Sequence, residues 1–331
     1  MTTDLIPASY NLTTYDYQPS DQNPALVFLA QHASEHTRRN YKRCLDVVAS
    51  ILGANDAASC AWGKVRFSHV AAVRSVLSSM VAGKTGKPLS YKTVNLHLHA
   101  LRGVLKTAWK LGQLSSDDYQ RAVAVESVKG YSLPTGRHLG AGEIGAIVAS
   151  CERDNTAAGV RDAAIIGCLY TAGLRRSEVA NLDLSDFNPE TGALTIRGAK
   201  GNKDRTSYLT NGALRAMGDW LAVRGGGAGA LFHPVNKGGN IQAHRMSDQA
   251  VYNLLTKRGE QAGVKDFACH DFRRTFVSDL LDMGADISTV ARMAGHANVS
   301  TTARYDRRGE QAKQQAAGLL HLPYHSKPKA H

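Results

Sequence analysis

Apolar residues recur at the 3.6-residue period through nearly the whole chain, and only one stretch past its middle alternates as strands do. That periodicity confines the fold to a mostly α one with a small antiparallel β-sheet. Four helices are expected in the first half. Thr37 caps one whose inward stripe is Tyr41, Leu45, Val48 and Leu52. Val70, Val73 and Leu77 mark a second, and Ser90 caps a third bearing Val94, Leu98, Leu101, Leu105 and Ala108, stopped near Gly112. A fourth covers about 117–125. Residues 129–137, punctuated by Gly130, Pro134 and Gly136, read as a linker, after which a helix opens near Ala141 with Ile144, Ile147, Val148 and Cys151 inward. Residues 194–197 and 205–209 are the expected strands, joined by a hairpin rich in Gly, Asn and Asp.

Charge narrows the partner. The 331 residues carry 40 Lys and Arg against 28 Asp and Glu, a formal charge of +12, which points to a polyanion and first of all to nucleic acid. The charge is unevenly placed. Residues 1–24 hold no Lys or Arg and three prolines, and read as a flexible N-terminal arm. Between positions 84 and 116 lie Lys84, Lys87, Lys92, Arg102, Lys106 and Lys110 with no Asp or Glu; Arg38, Arg39, Lys42 and Arg43 open the first helix. A one-sign helical face suits the phosphate backbone, where each neutralised phosphate releases counterions. Residues 25–128 are therefore expected to form a helical DNA-binding domain, and 138–331 a second domain.

Several classes drop out. No apolar run approaches the roughly 18–20 residues of a membrane span, and the N-terminus lacks a basic region followed by an apolar core. Five scattered cysteines without a CxxC pair argue against a disulfide framework or zinc ribbon and fit a cytoplasmic protein. His32-Ala33-Ser34-Glu35-His36 matches a zinc-protease pattern but precedes a basic helix and has no third ligand in view. Gly83-Lys84-Thr85 resembles the end of a phosphate loop, yet Ser78 occupies the required earlier glycine position. His97 and His99, two apart on a helix, diverge and are expected to face solvent or a groove. No metal or cofactor is expected.

The C-terminal third concentrates the chemistry. His270-Asp271-Phe272-Arg273 places an imidazole and a guanidinium on one helical face, followed by Phe276, Leu280 and Leu281 as a buried stripe and Gly284 as a stop. Asp286 then caps a helix closed by Gly295, from which His296 emerges, and Ser300 caps a last short helix bearing Arg304 and Tyr305. Far upstream, Arg175 follows Gly173-Leu174. Singly, each has a structural explanation: Arg175 can pair with Glu178, and Tyr305 can be a half-buried anchor. Together they make a set suited to metal-free phosphoryl transfer. Two arginines fork onto non-bridging phosphate oxygens, two histidines exchange protons near neutrality, a hairpin lysine serves the leaving oxygen, and a tyrosine serves as nucleophile.

Residues 171–178 (Thr-Ala-Gly-Leu-Arg-Arg-Ser-Glu), the Lys200 hairpin, His270-Asp271-Phe272-Arg273, Gly295-His296 and Thr301-Thr302-Ala303-Arg304-Tyr305 resemble, in order and spacing, the motifs of the tyrosine recombinases, the phage integrase family. The resemblance runs from about Gly136 to Tyr324; the first half is more weakly similar to that family's helical (SAM-like) core-binding domain. It implies two domains closing as a C-shaped clamp on DNA. It also implies a site-specific recombinase acting through a 3′-phosphotyrosyl intermediate, with neither metal nor ATP. Carried over residue by residue, Arg175 and Arg273 would hold the scissile phosphate and Tyr305 would attack it. His270 would help take the tyrosine proton, and His296 would bond the phosphate. Lys200, with Lys203 as its substitute in another register, would protonate the leaving 5′-oxygen. Arg175→Ala or Arg273→Ala is then expected to cripple cleavage without unfolding the protein.

The resemblance further implies a dimer on each duplex recombination site and a homotetramer on paired sites, and residues 311–322 resemble the tail that docks on a neighbouring protomer. Two departures stand out: Arg274 follows Arg273 where many members have His, and Met293-Ala294 precedes Gly295-His296 where leucine is frequent. A relaxing enzyme of the type IB topoisomerase kind would share the chemistry, and a catalytically silent DNA-binding protein would share the fold.

Overall fold

The computed structural model describes residues 20–83, 86–131, 136–199 and 203–306, and a few isolated positions after 306. The chain divides into two compact units, Met1–Leu133 and Pro134–His331.

In the first unit, α1 (Pro24–Ala30), α2 (Glu35–Ile51), α3 (Phe67–Ser79), α4 (Tyr91–Lys110) and α5 (Ser116–Val123) pack into one core. The 20-residue α4 is its axis, and Val94, Leu98, Leu101, Val104, Leu105 and Ala108 are all at most 1% exposed. Ser90 caps α4 as expected, its Oγ accepting the Thr93 N–H at 3.2 Å. Two caps differ from expectation. Ser34, not Thr37, opens α2, because its Oγ accepts the Thr37 N–H, so the helix begins one turn earlier. The sequence periodicity predicts no helix at α1. Asn23 caps it and is itself buried, with Nδ2 donating to Ala58 O at 2.8 Å, so residues 23–24 belong to the folded unit; seven residues are too few for a periodicity to register. His97 is also corrected: it lies on the buried stripe of α4 with Nδ1 2.8 Å from Thr93 O, whereas His99 is exposed.

The second unit runs α6 (Ala141–Glu152), α7 (Ala157–Tyr170), α8 (Arg176–Asn181), β1 (Ala193–Ala199), β2 (Lys203–Tyr208), α9 (Asn211–Arg224), α10 (Asp248–Ala262), α11 (Cys269–Asp282), α12 (Ile287–Ala294) and α13 (Val299–Ala303). The strands pair antiparallel, with Leu194 opposite Ser207 and Ile196 opposite Arg205, and each extends slightly beyond its expected hairpin-side end. Asp286 caps α12 and Gly295 closes it, as expected; α13 is instead capped by Asn298, whose Oδ1 accepts the Ser300 N–H at 2.8 Å, and ends before Arg304. Leu280 is half-buried, unlike Phe276 and Leu281.

Two apolar clusters fill this unit, and α11 serves both. Phe272 joins the main core with Ile165, Leu169, Leu194, Trp220 and Leu255, while Phe276, Val277 and Leu281 pack with Val290 and Ala294 of α12. A buried ionic network pins α10 to α7 and to the connection before it: Arg258, fully buried, donates to Asp162 of α7 at 2.9 Å and to Asp154, between α6 and α7, at 2.7 Å. The seam along α11 between the clusters is where Arg273 sits.

Candidate active site

Between α7 and α8 the chain turns at Gly173, whose φ is +64°; a Cβ there would stand 2.3 Å from the Phe276 ring, so only glycine allows the turn to seat on α11. That turn makes Arg175 the N-cap of α8. Glu178, three residues on, reaches back: Oε2 accepts the Arg175 backbone N–H at 2.7 Å and Oε1 accepts from the Arg175 guanidinium at 2.7 Å. The same carboxylate receives a two-pronged bond from Arg205 of β2, at 2.9 and 2.7 Å. At α11, Asp271 caps the helix start by accepting from Ala268 N at 2.8 Å and from Arg137 N at 3.0 Å, which fixes the first turn carrying His270.

The end of α12 completes the pocket. The last carbonyls of a helix lack intrahelical donors and carry its negative dipole end. Here three arginines take three successive ones: Arg205 Nε donates to Met293 O at 2.9 Å, Arg273 Nη2 donates to Ala294 O, and Arg175 Nη2 donates to Gly295 O at 3.2 Å. Gly295, at φ +62°, packs against the Arg205 side chain with 3.0 Å left for a Cβ, and it turns the chain so that His296 faces the cluster. Arg273 also donates to Gly173 O, and its Nε is buried with no hydrogen-bond partner among the described residues, an exception of the kind expected where a ligand completes the shell. Three guanidinium cations thus face one carboxylate.

Tyr305 follows α13. Its ring stacks with that of His296 at 6.3 Å between centroids and 24° between planes, and the His296 Nδ1 is held 2.8 Å from the buried Thr302 hydroxyl. The structure therefore brings together Arg175, His270, Arg273, His296 and Tyr305 from four separate chain segments. Arg176 turns elsewhere, to Asp248 at 2.8 Å and the Tyr252 ring. Lys200 lies outside the described residues; Lys203 opens β2 opposite Ala199.

The electrostatics follow from this crowding. Burial first, and then the charges of Arg273 and Arg175, push His296 down to about 4, so it is neutral at pH 7. Burial and Arg273 also lower His270, leaving it a neutral proton acceptor. Burial raises Glu178, but Arg205 and Arg175 outweigh it and hold its carboxyl at about 2. Arg273 is drawn down to about 9 by burial and then by Arg175, and remains a cation at neutrality. Cys269, beside His270 on the rim of a cavity of about 390 Å³ lined by Arg175 and Arg273, has its thiol pushed up by burial and is no thiolate nucleophile. A larger groove of about 730 Å³, between α6, α7 and α9, holds none of these residues.

Residues 137–311 match the phage integrase family, and a tyrosine recombinase XerC of Haemophilus influenzae is 30% identical over 283 residues, covering 84% of this chain and 88% of its own. This chain belongs to the phage integrase family. A tyrosine recombinase XerA of Pyrococcus horikoshii is 32% identical over 218 residues, covering 65% of this chain and 69% of its own. The fold is also that of a Tn1549 transposon integrase in complex with transposon right end DNA (TM-score 0.66, 15% identity, 90% and 99% of the two chains) and of a XerH recombinase bound to a palindromic difH substrate (0.62, 21%, 91% and 84%).

Two residues of this integrase pocket, Glu178 as a hub and Arg205, escape a motif reading. Arg205 left one signal: it alternates with the exposed Asp204 and Thr206 and shares a strand face with the buried Ser207 and Leu209, an inward arginine that needs a reason. The DNA-contact candidates of the other unit divide. Lys92, Lys106 and Lys110 are exposed along the side of α4 opposite its buried stripe, and Arg43 and Lys87 are exposed as well. Arg39 and Lys42 are exposed in ion pairs with Glu35 and Asp46, at 2.7 and 2.8 Å, and Arg38 donates to His32 O at 3.1 Å. Arg102 is half-buried and ties α4 to the segment after α5 through Val125 O at 2.6 Å and Ser127 Oγ at 3.2 Å, a fold contact. Lys84 lies outside the described residues.

Acid stability should report on this cluster. Below pH 6.5 an unfolded histidine takes up a proton that folded His296 resists until about 4, so stability falls with pH across that window. Glu178 extends the loss from 4.5 towards 2. Thermal unfolding from pH 7 to 4 should show a declining midpoint, and His296→Gln should flatten that limb. Glu178→Gln, which leaves the three guanidinium groups without their buried counter-charge, should cost about 3 kcal/mol in chemical denaturation at pH 7.

Proposed function

We propose that this protein is a site-specific DNA recombinase that cleaves and rejoins duplex DNA through a 3′-phosphotyrosyl bond on Tyr305. The observation that carries this reading is the convergence of one phenol, two neutral imidazoles and the Arg175–Arg273 pair on one pocket. Arg175 and Arg273 clamp the non-bridging oxygens and stabilise the charge that grows on phosphorus in the transition state. The Tyr305 oxygen bonds to phosphorus in line as the bond from phosphorus to the 5′-oxygen breaks. The phenol proton passes to His270, and the departing oxygen takes a proton from the hairpin lysine, Lys200. His296, neutral and oriented by Thr302, donates to a phosphate oxygen. Resealing runs the same steps backwards; the phosphotyrosyl ester conserves the bond, so no ATP is consumed.

The exposed cations of α2 and α4 supply backbone contacts that position the DNA. The protein works in the cytoplasm, as a dimer on each recombination site and a tetramer on paired sites. Incubation with a nicked duplex that loses its 5′-fragment on cleavage tests the reading: a covalent protein–DNA adduct is expected with EDTA present. A strict requirement for a divalent cation, or strand breakage without an adduct, would overturn it.

A further inference from the structure

Tyr305 has a second neighbour that the phosphate clamp does not use. The guanidinium carbon of Arg274 stands 5.3 Å from the Tyr305 ring centroid, within the range of a cation–π contact. One turn further along α11, on the same helical face, buried Ser278 donates through Oγ to the Tyr305 backbone carbonyl at 3.2 Å. A single helix therefore holds this tyrosine at both its ring and its main chain, while His296 stacks on the ring from the end of α12.

We propose that Arg274 is a positioning residue whose charge seats the Tyr305 ring and so holds the nucleophile for in-line attack. This rests on the role of Tyr305 proposed above. A cation over a phenol ring is attracted to the ring's electron-rich face, which holds the ring in one orientation. The charged and titratable groups of the pocket around Tyr305 are Arg273 and His270 from α11, His296 after α12, Arg175 and Glu178 at the start of α8, and Arg205 from β2, with Asp306 next in the chain. With both histidines held neutral, Arg273 and Arg274 are the cations that α11 brings to this tyrosine.

The test is single-turnover adduct formation on the nicked duplex over a range of DNA concentrations. Arg274→Met removes the charge and keeps an unbranched side chain. It should form the adduct about tenfold more slowly at saturating DNA, with the half-saturating concentration unchanged. Arg274→Lys should recover most of the rate, and binding to the DNA site should be unchanged in both. A wild-type rate in the Met variant, or a Lys variant as slow as the Met variant, would overturn the proposal. If Arg274→Met unfolds, Arg274→Gln gives the same comparison. An adduct that persists in Tyr305→Phe would instead overturn the assignment of the nucleophile, a result separable from the Arg274 outcome.

Discussion

Tyr305→Phe should abolish the covalent adduct completely while leaving DNA binding and the thermal midpoint close to wild type. The substitution removes one oxygen and keeps the ring that stacks with His296 at 6.3 Å and lies under Arg274. The backbone anchors, Tyr305 N to Thr302 O at 2.9 Å and Ser278 Oγ to Tyr305 O at 3.2 Å, are untouched. Two hydroxyls beside this segment are already committed, Thr302 to His296 and Ser278 to the Tyr305 carbonyl, and both are buried. Covalent catalysis with a single nucleophile allows no partial loss. Gel separation of adduct from free protein under denaturing conditions, beside a filter-binding curve, checks both halves of the expectation. Residual adduct in this variant would move the chemistry to another side chain.

Arg273→Ala should lower cleavage by about 10²–10³-fold, the usual cost of removing one preorganised transition-state donor. Unlike Arg175→Ala, it should also weaken the fold. The sequence alone predicts that either arginine can be removed without unfolding, and burial separates them. Arg273 is 2% exposed and serves the carbonyls of Gly173 and Ala294, so truncation leaves two buried acceptors bare at about 1–3 kcal/mol each. The Arg175 side chain is 29% exposed and sits on the rim. Arg273→Lys decides between lost structure and lost chemistry. An ammonium keeps the charge but cannot fork, so this variant should unfold near the wild-type midpoint and still cleave about 100-fold more slowly. Single-turnover rates and thermal unfolding of both variants check the pair. A Lys variant that cleaves at the wild-type rate would show that charge alone suffices.

Long periodic helices are readable because a stripe such as Val94, Leu98, Leu101, Leu105 and Ala108 repeats over about four turns, and because Ser90, Asp286 and Gly295 punctuate the chain at positions that local geometry fixes. The short α1 is not, having fewer than two full turns. A cap is ambiguous in sequence where two candidates lie within one turn, as at Ser34 and Thr37, since both can serve and only the path of the preceding chain selects one. In the pocket, the reacting side chains carried their own spacing, whereas the residues that hold them did not. Glu178 looked like an ordinary partner for Arg175 three positions away; its bond to Arg205, 27 residues on, depends on where the sheet packs. The three carbonyls of Met293, Ala294 and Gly295 are main-chain atoms, which no residue type announces.

The most direct test of the whole account is to digest the adduct formed on the nicked duplex and identify by mass spectrometry the peptide and the end of DNA it carries. The account requires a nucleotide joined through its 3′-phosphate to Tyr305, with a free 5′-hydroxyl on the other fragment. Attachment at any other residue, or through a 5′-phosphate, would contradict it.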